Sequence, residues 1–222
     1  MKTKDRIIQA SLELFNKHGE RAMTTNHIAA HLGISPGNLY YHFRNKEDII
    51  RRIFKEYVAH IGRSFQPRDD GNVSLEVMMT YLDEIFESMW RFRFFYSNLP
   101  ELLSRDPELQ IQYLPLQEKL AQRVIAILSM LKQAGALNVE EQDLEDLAHT
   151  VKIVVTFWIS YQTTQAPEEQ ITKATIYHGV LKVLFILKPY FAEEYLPSLE
   201  RLQKHYRKLA DIRQEAEKVV FP

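Results

Sequence analysis

Residues 24–47 read TTNHIAAHLGISPGNLYYHFRNKE, and no other stretch of the chain restricts the fold so tightly. Paired threonines ahead of an apolar-periodic run mark a helix start. Gly33 can take the left-handed conformation that most residues resist, so the run ends there in a tight turn. Ser35 caps a second, short helix with Pro36 at its first position, where a missing N–H costs little. Ile28, Leu32, Ile34, Leu39 and Phe43 supply an inward face. Ala29 is small where the two helices cross, and Leu14 and Phe15 of a preceding helix close the core. A helix–turn–helix of this kind has one well-attested use, which is to lay its second helix in the major groove of DNA.

The outward residues fit that use. Ser35, Gly37, Asn38, Tyr40, Tyr41 and His42 form a nearly uncharged face. Such a face is poorly solvated by itself, but its hydroxyls and backbone N–H groups can bond phosphates. A core position for Tyr40, a merely exposed His42, and a capping role alone for Thr24 and Thr25 are the structural alternatives. The net charge of −1 argues against nucleic acid, but its distribution does not. Residues 1–64 hold 11 Lys and Arg against 6 Asp and Glu, and the rest holds 17 against 23. A basic head on an acidic body is expected when only one end touches phosphates.

With its flanking helices, the order TT-x-x-IA-x-x-x-GIS-x-G-x-LYYHF-x-x-KE resembles the DNA-binding head of the TetR family of bacterial transcription regulators. The resemblance covers residues 4–57. It implies that Thr25 and Lys46 anchor phosphates at helix N-termini and that Tyr40, Tyr41 and His42 also contact phosphate. It places Ser35, Pro36, Gly37 and Asn38 against base edges. Many members carry Lys or Arg where this chain has Pro36. Direct base readout is therefore expected to be thin, with Asn38 the main reader and DNA shape contributing more.

The chain has 222 residues, 45% of them hydrophobic, enough for a small head and a larger body. It has no cysteine, which excludes disulfides, thiolate zinc sites and a cysteine nucleophile, and suits a reducing cytoplasm. The N-terminus lacks the apolar core of a signal peptide, and no run approaches the ~18 apolar residues of a membrane span. The expected localisation is cytoplasmic, without membrane association.

Helical spacing runs almost throughout, so the expected fold is all-α. It comprises a three-helix head over 1–47, a linking helix over 45–64 and a helical body over 48–222. Thr3 is the expected cap of the first helix and Asn45 of the fourth, with Asp48 completing a capping box. QPRDDGN at 66–72 is the clearest loop. Body helices are expected over 74–93, 100–104, 107–134, 141–164, 168–188 and 197–219. Pro115 should kink or split the third of these. The last is read from Leu199, Leu202, Tyr206, Leu209, Ile212 and Ala216.

A short recognition helix covers few base pairs, so a dimer reading two half-sites of a palindromic operator is expected. Its interface is expected on the helices at 141–164 and 168–188, through Val151, Val155, Tyr161, Tyr177, Val180, Leu181 and Leu184; the family resemblance implies the same four-helix arrangement. A monomer using these helices as core is the alternative. Phe54, Tyr57, Trp90, Phe94, Phe95, Phe157 and Trp158 are candidate walls of a pocket for a small, largely apolar effector, though the same aromatics suit plain packing. Linkage would let such an effector weaken DNA binding through the linking helix. The segment FRFFYSNLPELL at 92–103 looks like the C-terminal domain of one TetR subgroup, some of whose members regulate fatty-acid or polyester metabolism, which suggests a fatty-acyl effector. A DNA-bound adaptor whose body binds a protein is the other reading. No cofactor is expected. His27 and His31 are one turn apart with no carboxylate joining them, so no metal site is expected, and no catalytic motif is present.

Overall fold

Local sequence chemistry divides the chain into ten α-helices among the described residues. The computed structural model describes residues 2–64, 66, 74–167 and 169–220, with side chains at 64, 75 and 213–220 outside that description. The helices are α1 (Thr3–His18), α2 (Thr25–Leu32), α3 (Pro36–His42), α4 (Lys46–Ser64) and α5 (Leu75–Arg91). They continue as α6 (Arg93–Arg105), α7 (Pro107–Gln133), α8 (Leu144–Gln165), α9 (Lys173–Leu187) and α10 (Leu196–Val220). No strand forms among the described residues beyond an isolated bridge between Leu137 and Phe191. The loop expected at 66–72 lies, apart from Gln66, outside the described residues, as does the side chain of Ala216.

Capping chemistry explains most boundaries. Thr24 Oγ1 accepts from His27 N, while Thr24 N donates to His27 Nδ1, so a histidine completes this capping box. Ser35 Oγ accepts from Asn38 N, and Asn45 Oδ1 accepts from Asp48 N at 2.9 Å. Thr3 is not the cap of α1; it is the first helical residue, after an extended Lys2 that makes no side-chain cap. Helix α9 starts five residues later than expected, because Thr172 and Thr175 form a capping box there.

Three body elements differ from expectation for identifiable reasons. Helix α7 runs unbroken through Pro115, an exposed position where the carbonyl of Ile111, left without its helical donor, is near solvent. Helix α5 ends at Arg91, where Phe92 leaves helical geometry (φ −112°, ψ 28°). The expected short helix at 100–104 is the second half of α6, whose backbone breaks at Asn98 (φ −125°, ψ 19°) two residues before Pro100.

Two apolar clusters organise the interior. One joins Ile7, Phe15, Ile28, Leu39, Phe43 and Ile49 of the head with Phe92, Phe95, Leu99 and Tyr113 of the body. Head and lower body thus share one core, bridged by α4 and α6. The other packs α5, α7, α8, α9 and α10 around Leu128, Val180 and Tyr206.

Candidate nucleic-acid interface and body cavity

The turn between α2 and α3 is built as its sequence requires. Gly33 has φ +64°, and nothing lies within 4 Å of where a Cβ would stand, so backbone geometry alone selects glycine. Leu39 and Phe43 turn inward and are buried, as are Ile28 and Ala29. Ser35, Pro36, Gly37, Asn38, Tyr40 and Tyr41 are all exposed, and His42 is half-buried. Tyr41 is 86% exposed, a large apolar surface that the protein itself leaves in water. Tyr40 is not core; its hydroxyl sits 3.0 Å from Thr25 Oγ1, which ties α3 to the start of α2.

Lys46 occupies a different setting from the other candidates. Its Nζ donates to Glu20 O at 2.9 Å and Met23 O at 3.1 Å, and pairs with the Glu20 carboxylate at 2.8 Å. Glu20 is only 1% exposed and also binds Arg105 at 2.8 Å. Lys46 therefore fastens the α1–α2 connection to α4 and, through Glu20, to α6. Arg21 pairs with Glu101 of α6. Arg51 of α4 binds both oxygens of Asp106, at 3.1 and 3.0 Å, and Asp106 also caps α7. Asn16 completes the joint: its side chain donates to Arg91 O and accepts from Phe94 N, at 2.8 and 3.0 Å. None of these joint residues except Lys46 stood out in the sequence, because their partners lie 26 to 85 positions away.

In the body, α4 to α9 line a partly open cavity of about 140 Å³. Its walls are overwhelmingly aliphatic, including Met78, Leu82, Leu120, Val124, Leu128 and Val183. Lining residues on α7 extend from Tyr113 to Leu131. Polar groups are few. The Tyr57 and Tyr96 hydroxyls lie 3.0 Å apart, and burial raises both phenols above the ordinary tyrosine value, which keeps them neutral. Lys152 reaches the wall from α8 and donates to Gln117 O at 2.8 Å.

The expected pocket residues divide. Tyr57 and Phe95 line the cavity. Phe54 and Phe94 do not; they are buried in the aromatic cluster beside it, Phe54 against Phe95 at 5.5 Å and Phe94 against Phe15 at 5.3 Å. Trp90 is also off the wall, with the Arg93 guanidinium 4.0 Å above its ring. Trp158 lies over Gly179 and donates to Thr175 O at 2.7 Å. Phe157 points outward instead, 44% exposed.

The expected interface residues also shift. Val151 and Leu184 line the cavity and Val180 is fully buried, so none of the three presents a surface to a second chain. Val155 is half-buried on the cavity wall, and Tyr177 stacks on Phe86 with centroids 4.1 Å apart. Leu181 is half-buried and Tyr161 remains 54% exposed. Exposed apolar residues in the body include Ile153 (60%), Phe157 and Tyr161, spaced four apart on α8, with Phe185 (70%) on α9 and Ile111 and Leu114 on α7. The segment GVLKVLFIL on α9 is apolar on nearly every side, so periodicity could not say which side faces out.

Residues 7–53, which hold this helix–turn–helix, match the family described as bacterial regulatory proteins, tetR family. Residues 56–199 match a second TetR description, bacterial transcriptional repressor. The chain belongs to the TetR family. It is a DNA-binding transcriptional regulator and not an enzyme. A TetR-family transcriptional regulator from Marinobacter aquaeolei VT8 is 40% identical and superposes with a TM-score of 0.81, covering 93% of this chain and 99% of that one. An HTH-type transcriptional regulator of Staphylococcus aureus is 33% identical over 88 residues, 38% of this chain and 46% of that protein. The chain thus spans about half the length of the curated relatives it matches. The protein in a SmeT–triclosan complex shares the fold at 19% identity and a TM-score of 0.55, over 86% of this chain and 92% of that one.

Among the described residues, no helix is long and apolar enough to cross a membrane, and no group of three His, Asp or Glu side chains is placed to hold a metal ion.

Proposed function

We propose that this regulator is a homodimeric repressor, released from a palindromic operator by a small, largely apolar effector. The observation that carries the reading is the aliphatic cavity. A concave, predominantly apolar lining of this kind favours apolar guests. Tyr57 and Ile61 of α4 form part of its wall, while the N-terminal end of α4 is fastened to the head through Lys46 and to the start of α7 through Arg51. A guest that displaces α4 or α6 changes the position of the head, and its differential affinity for the two arrangements sets how far DNA binding weakens. The presence of triclosan in the SmeT complex supports effector binding in this fold, and the aliphatic lining suits the acyl-type effector expected from the sequence.

In this reading Tyr40, Tyr41, His42 and Thr25 contact phosphate, while Ser35, Pro36, Gly37 and Asn38 lie against base edges. Lys46 reaches phosphate only by giving up bonds to the α1–α2 connection, so its first role is to hold Thr25 in place. The exposed stripe of Ile153, Phe157 and Tyr161, with Phe185, supplies the dimer contact. Titrating apolar compounds against the protein on a selected operator duplex, followed by fluorescence anisotropy, tests the proposal. Saturable release by at least one compound supports it. DNA binding unchanged by acyl, steroid and halogenated aromatic compounds alike would favour the adaptor reading.

A further inference from the structure

Ser88 of α5 is 3% exposed and lines the cavity, yet its Oγ makes no hydrogen bond among the described residues. A hydroxyl inside a helix can donate to a carbonyl one turn back. Ser11 does so to Ile7 O, Ser97 to Arg93 O and Thr163 to Ile159 O. Ser88 does not, and leaving a buried hydroxyl unanswered is costly. It stands beside a second polar group of the same wall. Burial raises the Tyr96 pKa, and the nearby hydroxyls of Tyr57 and Ser88 pull the other way. Tyr57 and Tyr96 share one O–H between them, so the pair keeps another to donate. Phe95, whose ring centre is 6.1 Å from that of Tyr57, lines this end of the cavity too. Size and charge limit the guest further. About 140 Å³ is space for about one benzene ring. The lining carries Glu84, one turn before Ser88, as well as Lys152, so an acid and an amine would each meet a like charge there.

We infer that the effector is a compact, neutral phenol, its hydroxyl taken by Ser88 and the Tyr57–Tyr96 pair and its ring laid beside Phe95. This rests on the reading of the cavity as the effector site, and it narrows the apolar guest to one size and one polar group. A hydroxyl both accepts and donates, so it can answer Ser88 and the remaining phenol O–H together. The ring next to it meets the edge or face of Phe95. Tyr57 belongs to α4, so the same hydrogen bonds reach the helix that joins the cavity to the head. Ser88 is then the residue that separates a hydroxylated guest from a plain hydrocarbon of the same shape.

Calorimetric titration of the full chain with 4-methylphenol, toluene and benzoate tests this directly. The first two differ only in the hydroxyl, and the third carries a charge. 4-Methylphenol is expected to bind most tightly and benzoate least. Ser88→Ala should weaken 4-methylphenol by roughly threefold to tenfold, the range of one neutral hydrogen bond, and leave toluene unchanged. Retained toluene binding also reports that the variant is folded. Its melting temperature should hold level or rise, because the protein loses no hydrogen bond of its own. A lower melting temperature with equal losses for both compounds would show that the hydroxyl serves the fold, and would overturn the assignment. Toluene or benzoate bound more tightly than 4-methylphenol, or a phenol preference that survives Ser88→Ala, would overturn it while leaving the cavity as an effector site. Binding of none of the three would overturn both.

Discussion

At the scale of single residues, the head was the most legible part of the chain because its determinants are local. Caps at Thr24, Ser35 and Asn45 act on N–H groups three positions away, and Gly33 is selected by its own φ, so reading them needs no knowledge of distant partners. Gly33→Ala should cost roughly 1–2 kcal/mol of stability, read by urea unfolding, since the strain is confined to the backbone. His27 escaped notice as the second half of a capping box because that position is usually Glu or Gln. Lys46 stood out in the sequence as an expected phosphate anchor, but its attachment to Glu20 requires the fold. Base reading and phosphate anchoring separate by experiment. Asn38→Ala should relax the preference at one position of each half-site by about 1–3 kcal/mol, whereas Tyr41→Phe should weaken binding to all duplexes alike.

Among elements, helices were easier to find than the faces they present. An amphipathic helix such as α4 declares its buried side, and Ile49, Ile53, Phe54, Tyr57 and Ile61 are all buried as their spacing implies. Helices α8 and α9 carry apolar residues on several sides, so their cavity, core and outer faces were confused with one another. The α5–α6 corner was also misplaced, because Phe92 breaks the helix without a glycine or proline to announce it. That corner holds the head to the body. Phe92 is fully buried and packs edge-on against Tyr57 at 5.2 Å, so Phe92→Ala should cost about 3–5 kcal/mol in thermal unfolding. Glu20→Ala removes the carboxylate shared by Lys46 and Arg105. Its cost is expected near 3 kcal/mol, at the low end for a broken buried pair because Arg105 keeps part of its solvent contact. A Glu20→Ala protein as stable as the parent in urea would show that the carboxylate adds nothing to packing and the Lys46 bonds to the Glu20 and Met23 carbonyls.

The whole molecule is a single mechanical body and not two separable units. The head's core continues through Phe15, Phe94 and Phe95 into the wall of the cavity, and four polar joints reinforce it, built on Asn16, Glu20, Arg21 and Arg51. A domain boundary at 47/48 describes the sequence motif but not the packing. The proposed two-fold dimer belongs to this scale. A charge placed on the exposed apolar face of α8, as in Phe157→Asp, should dissociate that proposed dimer in sedimentation velocity and lower operator affinity without changing protomer stability by more than about 1 kcal/mol. The measurement that tests the central claim most directly is selection of bound sequences from a random duplex pool with the purified protein. The account predicts a palindrome whose two half-sites are spaced by about one helical turn or more. Recovery of no shared motif, or of a single unrepeated half-site, would contradict a symmetric dimer reading DNA through α3.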